Sequence, residues 1–211
     1  VYHSAIDVDR IAFAERHKDP EGKLAMLCVG RFVEKKGFRY AIEVLSILKA
    51  DFPRLELCIV GDGPLREELQ GLASRLGIGD SVRMTGWLDH DAVLQKLREA
   101  RVFLCTSVEA GSGDVEGIPN VIKEAMASGL PVVAFSHSGI PDLIQDGRTG
   151  FLSREGDVDA MANHVRMILS GNADVTVHNA RREIESAWSI AVLAAEIESI
   201  YKEAITHGKR S

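Results

Sequence analysis

Two carboxylates, Glu116 and Glu124, stand with seven residues between them in the stretch Glu109 to Pro131, EAGSGDVEGIPNVIKEAMASGLP. The stretch joins a strand-like run, Val102 to Cys105, to a helix with marked ends: Pro119 suits its first turn, and Gly129 with Pro131 supplies the stop. A loop-to-helix junction offers unpaired backbone N–H groups, here of Asn120, Val121 and Ile122, and the positive end of the helix dipole. That combination is a ready phosphate site. Glu124 lies just over one turn into the helix, and helical side chains lean back toward the N-terminus, so its carboxylate reaches a group held at the helix mouth. An acceptor-only carboxylate repels a phosphate, so its natural partner is a hydroxyl pair such as a ribose diol. A plainer reading stands beside this one, because the dipole alone favours an acidic residue early in a helix.

Three further loops carry groups of interest. Gly30-Arg31-Phe32-Val33-Glu34-Lys35-Lys36-Gly37 puts the planar fork of Arg31 and the point charge of Lys36 beside glycines, and both suit a diphosphate. Gly61-Asp62-Gly63-Pro64 is not a GxGxxG fingerprint and reads as a tight turn before a helix. Gly86-Trp87-Leu88 follows the short run that contains Arg83. A flat base could rest there, and Trp87 serves equally well as a packing residue. If the loops converge, cations and helix N–H groups hold a diphosphate while Glu124 holds a sugar diol. Glu116 then lies beyond the phosphates, near whatever group they carry.

Convergence requires strands ending at these loops. Leu24 to Gly30, Leu55 to Val60, Val82 to Met84, Val102 to Cys105, Val132 to Phe135 and Gly150 to Leu152 are apolar runs rather than alternating ones, as strands buried on both faces should be. Helical spacing fills the intervals, with Tyr40, Ala41, Val44, Leu45 and Leu48 in one helix and Leu65, Leu69, Leu72 and Leu76 in the next. Asp89 to Arg98 reads as a helix, and Asp157 caps another that runs to about Leu169. The alternation predicts an α/β domain, a doubly wound parallel sheet of Rossmann-like type, whose ligands bind beyond the carboxyl ends of the strands. Residues 1–22, ending in the turn-forming Asp19-Pro20-Glu21-Gly22, read as a linker segment. Residues 23–170 form the nucleotide-binding domain. Residues 171–211 form a helical tail with Trp188, Ile190, Leu193, Ile197 and Ile200 as buried positions, packing on the domain or toward a half that is absent.

At 211 residues, 45% apolar and 27% charged, the chain has ample material for a core. A net charge of −6 without a basic run gives no footprint for nucleic acid, and no apolar run is long enough to span a membrane. Cys28, Cys58 and Cys105 lie in separate strand-like runs without metal-ligand spacing, and read as small buried hydrophobes in a reducing, cytoplasmic setting. His3, His17 and His178 read as solvated surface, and His137 as a local hydrogen-bonding residue of its loop. The opening VYHSAIDVDR, without Met, reads as the start of a processed chain or of a cut piece.

Taken in order, GRFVEKKGF, GDGPLREEL, CTSVEAGSGDVEGIPNVIKEAMASGLPVVA and HSGIPDLIQDGRTGFL resemble the C-terminal, donor-binding half of the retaining GT-B glycosyltransferases of the group 1 family. The resemblance covers roughly residues 1–170, and EGIPNVIKEAM with HSGIPDL is most similar to bacterial enzymes of exopolysaccharide and lipopolysaccharide synthesis. It implies one half of a GT-B fold. It also implies that Glu124 binds the nucleotide ribose, Glu116 the donor-sugar hydroxyls, and Arg31 and Lys36 the diphosphate, with catalytic charge stabilisation by the two cations. Gly117, Ile118, Pro119, Asn120 and Val121 match the segment whose N–H groups bind phosphate, and Arg83, Gly86 and Trp87 are the candidates for the base. The donor is a UDP- or GDP-linked sugar. The acceptor is a glycan or lipid-linked, met through an N-terminal domain this chain lacks. No tightly bound cofactor and no metal are expected, since the two cations and the helix dipole already serve the diphosphate. The resemblance implies a cytoplasmic enzyme, with a peripheral place at the inner membrane face open to the full-length protein. The common Glu-Gly-Phe-Gly is here Glu-Gly-Ile-Pro, as in part of the family. The fragment is expected to bind nucleotide without transferring sugar. A non-catalytic nucleotide-binding module and a GT-B nucleotide-sugar epimerase are the alternatives.

Overall fold

Apolar residues fill both sides of each central strand because both faces of the sheet are covered. The computed structural model describes residues 4–14, 25–171 and 174–208. Its six strands are β1 (Ala25–Val29), β2 (Glu56–Val60), β3 (Val82–Met84), β4 (Val102–Cys105), β5 (Val132–Phe135) and β6 (Phe151–Ser153). They alternate with α1 (Phe38–Leu48), α2 (Arg66–Arg75), α3 (His90–Glu99), α4 (Asn120–Ala127), α5 (Ile140–Leu143) and α6 (Val158–Leu169), and α7 (Asp174–Ala187) and α8 (Ile190–Gly208) follow. Successive strand residues enter different cores. Met26, Cys28, Leu57, Ile59, Leu104 and Phe135 meet α1, α2 and α6. Leu27, Phe103, Val132 and Ala134 meet α3, α4 and α7.

All pairings are parallel, in the order β3-β2-β1-β4-β5-β6. Strand order reverses between β1 and β4. Their carboxyl ends therefore diverge into opposite crossovers and leave a crevice at that edge, the usual ligand position of open α/β sheets. Helix starts follow their caps: Asp89 Oδ1 accepts the Ala92 N–H at 2.8 Å, and Asp157 Oδ1 accepts the Ala160 N–H at 2.9 Å.

The tail is helical, as expected, and differs from the expectation in what it buries. It is two helices, broken at Trp188-Ser189, and residues 4–11 clip the break: Ile6 N donates to Trp188 O and Ile190 N to Ile6 O, each at 3.0 Å. Trp188 is buried as expected, whereas Ile190, Ile197 and Ile200 are exposed. A periodic apolar pattern marks a helix face without specifying what covers it, and this face has no described segment over it. Of the expected linker, residues 4–14 are described, and Ile6 and Ile11 are buried against the second core. Asp19 to Gly22, His3 and His17 lie outside the described residues.

Lys123 is a buried cation at the same junction. Its Nζ donates to Ser4 O, to Ser4 Oγ at 3.0 Å and to Asn120 Oδ1 at 3.0 Å, and sits 5.3 Å from the Trp188 ring centroid. Desolvation pushes its pKa below the lysine range. Cys28 and Cys105 are buried and Cys58 half-buried, and burial raises all three thiols. No described helix is long and apolar enough to cross a membrane.

Candidate functional site

The loops after β1 and β4 are stitched together at the crevice. After β1 a short 3₁₀ turn, Glu34–Lys36, ends at Gly37 with φ 58° and ψ 27°, the left-handed region. A Cβ there would lie 2.0 Å from Thr106 O, so only glycine permits this approach. Thr106 Oγ1 then donates to Lys36 O at 2.9 Å, and the Val108 N–H to Lys35 O at 2.9 Å. Further out, Lys35 Nζ lies 3.0 Å from Asp114 Oδ2, and Gly111 N donates to Glu34 Oε1 at 3.0 Å.

This stitching brings Lys36 to Glu116. Lys36 Nζ is 2.5 Å from Glu116 Oε1, and Ser107 Oγ donates to Glu116 Oε2 at 2.9 Å. The two side chains are only 14% and 19% exposed. The Lys36 stem lies against Gly30, where a Cβ would sit 2.8 Å from its Cε. Arg31 is exposed at the same loop and makes no ion pair among the described residues.

Past Glu116 the chain enters α4 through Gly117, Ile118 and Pro119. The N–H groups of Gly117, Ile118, Asn120 and Val121 have no partner among the described residues, and Pro119 has none to offer. Ile122 differs from the sequence expectation: its N–H is taken by Pro119 O at 3.1 Å, because the first turn tightens to an i−3 bond. Ile118 packs on the turn after β5, 3.1 Å from where a Gly139 Cβ would lie. One turn along α4, Glu124 is 14% exposed and its Oε1 is 3.0 Å from His90 Nε2.

The base candidates divide. Gly61 N donates to Gly86 O at 2.9 Å, closing the loop after β3 onto the end of β2, and Trp87 is 66% exposed. Four residues past Gly86, His90 crosses to Glu124, so this loop borders the crevice. Packing is therefore not what Trp87 does. Arg83 sits within edge strand β3, opposite Cys58, and contacts none of the other candidates among the described residues. In the neighbouring turn, first the Gly63 N–H and then Arg66 hold the Asp62 carboxyl below its usual range.

His137 is buried. Its Nδ1 lies 2.8 Å from Glu155 Oε2, Glu155 Oε1 accepts the Glu109 N–H at 3.0 Å, and Nε2 has no hydrogen-bond partner among the described residues. Ser107 and His90 were missed in the sequence. Ser107 lies nine residues before Glu116 and His90 thirty-four before Glu124, and no spacing rule links them. Among the described residues no group of three His, Cys, Asp or Glu side chains could hold a metal.

Two acidic residues, one before the mouth of a helix and one a turn along it, a lysine from the neighbouring strand's loop and four unpaired N–H groups suit a sugar nucleotide. The family model of the glycosyl transferases group 1 matches residues 9–186. The chain belongs to this family. Among its relatives, the amylovoran biosynthesis glycosyltransferase AmsK of Erwinia amylovora is 38% identical over 179 residues, 84% of this chain and 44% of the relative. The putative colanic acid biosynthesis glycosyltransferase WcaL of Escherichia coli K12 is 35% identical over 201 residues, 93% of this chain and 50% of the relative. The chain thus spans about half the length of the curated relatives it matches. Anabaena Alr3699/HepE, solved in complex with UDP and glucose, superimposes with a TM-score of 0.80 at 20% identity, over 94% of this chain and 55% of that one. The parallel sheet and its flanking helices are thus the Rossmann-like domain of GT-B glycosyltransferases, as the sequence motifs implied.

Proposed function

We propose that this group 1 chain is the donor-binding half of a retaining glycosyltransferase. It moves a hexose from a UDP- or GDP-linked sugar to a glycan or lipid-linked acceptor, in cell-surface polysaccharide synthesis. The observation that carries this reading is the placement of Glu116 and Glu124 along one helix mouth, with Lys36 2.5 Å from the first and unpaired N–H groups between them. The diphosphate lies over the N–H groups of Gly117, Ile118, Asn120 and Val121, faced by Arg31 and Lys36. Glu124 accepts from the ribose hydroxyls, Gly86 and Trp87 border the base, and Glu116 accepts from donor-sugar hydroxyls. Arg83 has no part in this arrangement.

As the sugar–phosphate bond breaks, negative charge grows on the departing diphosphate. Lys36 and the α4 N-terminus already stand beside it, and Arg31 belongs to the same loop as Lys36, so this charge is stabilised more in the transition state than in the ground state. These groups take the role a metal plays elsewhere, and no metal is invoked. Retention of configuration is carried from the resemblance. The names of AmsK and WcaL support the polysaccharide setting. The acceptor belongs to a second half, so this chain alone binds nucleotide without transferring sugar.

Calorimetric titration with UDP, GDP and ADP tests the reading. One nucleotide should bind selectively, and Glu124→Ala should weaken it roughly ten- to hundred-fold, the worth of about 1.5–3 kcal/mol in hydrogen bonds to a charged group. Affinity unchanged by the substitution would refute the ribose assignment.

A further inference from the structure

We infer that His90 is a positioning residue for ribose recognition, its imidazole holding one oxygen of Glu124 so that the other faces the diol. The inference rests on the donor-site reading and adds to it a residue that no motif marks.

The Glu124 carboxylate has one hydrogen-bond partner among the described residues, His90 Nε2 on Oε1, and its Oε2 has none. An ionised carboxylate only accepts, so Nε2 carries the proton in this contact. A carboxylate has about four lone-pair sites on its two oxygens, and a vicinal diol offers two O–H donors. With Oε1 anchored, the carboxylate plane is fixed and Oε2 stays available. Without the anchor, three side-chain torsions of Glu124 would have to be ordered when the nucleotide binds.

The anchor is itself held firmly. His90 is the first residue of α3, directly after the Asp89 cap, and Leu94 and Leu97 bury that helix in the core. The imidazole is 51% exposed, so it is not a packed core histidine, and its place is fixed by the helix start rather than by burial. Glu116 shows the same device in another form, held by Lys36 on one oxygen and Ser107 on the other. Each member of the Glu-x7-Glu pair is therefore held by a side chain from elsewhere in the fold, Lys36 from the loop after β1 and His90 from the start of α3. Both arrangements place the carboxylates before any ligand arrives.

An opposite role is physically possible for the same contact: His90 could compete with the ribose for Glu124. The two roles predict opposite signs. The test is titration of the 211-residue chain with UDP and GDP and with their 2′-deoxy forms, using the unsubstituted protein, His90→Ala and His90→Gln. His90→Ala should weaken the ribonucleotide roughly five- to tenfold, about one hydrogen bond's worth, and barely change the deoxynucleotide. The ribo/deoxy ratio therefore falls. His90→Gln should restore most of it, since the glutamine amide can donate to the same carboxylate. His90→Ala added to Glu124→Ala should cost nothing more. An unchanged ribo/deoxy ratio, or tighter ribonucleotide binding by His90→Ala, would overturn the role of His90 alone. Absence of nucleotide binding by the unsubstituted chain would overturn the donor-site reading with it.

Discussion

Lys36→Ala is expected to lower sugar transfer by the full-length enzyme roughly 10²–10³-fold, the cost of removing one preorganised donor from a developing anion. The side chain is pinned at three levels. Its backbone carbonyl accepts from Thr106 Oγ1, its stem lies against Gly30, and its ammonium sits 2.5 Å from Glu116. Truncation removes the charge that faces the leaving diphosphate. It also leaves Glu116, 19% exposed, with Ser107 as its one remaining partner. A carboxylate without its counter-charge in that place repels the donor's phosphates, so nucleotide affinity falls as well as turnover. Lys36→Arg should recover little, because a longer, planar fork does not reproduce a point charge set 2.5 Å from Glu116. Comparing kcat/KM with the urea midpoint separates lost chemistry from lost folding. Activity within threefold of the unsubstituted enzyme would contradict the assignment.

Gly37→Ala is expected to destabilise the fold by about 2–5 kcal/mol. Two costs add: a left-handed backbone at φ 58° costs an L-residue about 1–2 kcal/mol, and overpacking costs about 1–3 kcal/mol. The second arises because the new Cβ would lie 2.0 Å from Thr106 O, which belongs to backbone and cannot swing aside. Gly77→Ala is the matched control. Its φ is 70° and nothing lies within 4 Å of the added Cβ, so it carries the backbone term alone. Urea denaturation should therefore show Gly37→Ala well below Gly77→Ala in midpoint, at similar slope. Because Gly37 lets the loops after β1 and β4 meet, the surviving folded fraction should also bind nucleotide more weakly. Equal midpoints for the two variants would show that the close approach is not required.

The sheet was legible because burial on both faces writes itself into each strand. Runs such as Val102 to Cys105 and Val132 to Phe135 leave no polar side to face solvent, and only a covered parallel sheet accommodates them. The helix mouth was legible because Pro119, the Glu116/Glu124 spacing and the Gly129 stop are local signals. Contacts made across the fold were not. Lys36 on Glu116 and His90 on Glu124 depend on how segments after different strands meet, and Ser107 on Glu116 on how one long loop folds back, which no residue states by itself. Ile122 misled because a proline carbonyl, not the helix ladder, took its N–H. The α8 isoleucines misled for the converse reason: periodicity reveals an apolar face, and a cover has to come from elsewhere.

The most direct test of the donor-site account is a crystal structure of this chain with UDP or GDP, whichever binds in calorimetry. The account predicts the ribose diol within hydrogen-bond reach of Glu124 Oε2, with His90 still on Oε1. It predicts the diphosphate over the N–H groups of Asn120 and Val121, with a phosphate oxygen within hydrogen-bond reach of Lys36 Nζ in its place beside Glu116. A nucleotide bound elsewhere on the chain, or with its ribose away from Glu124, would contradict it.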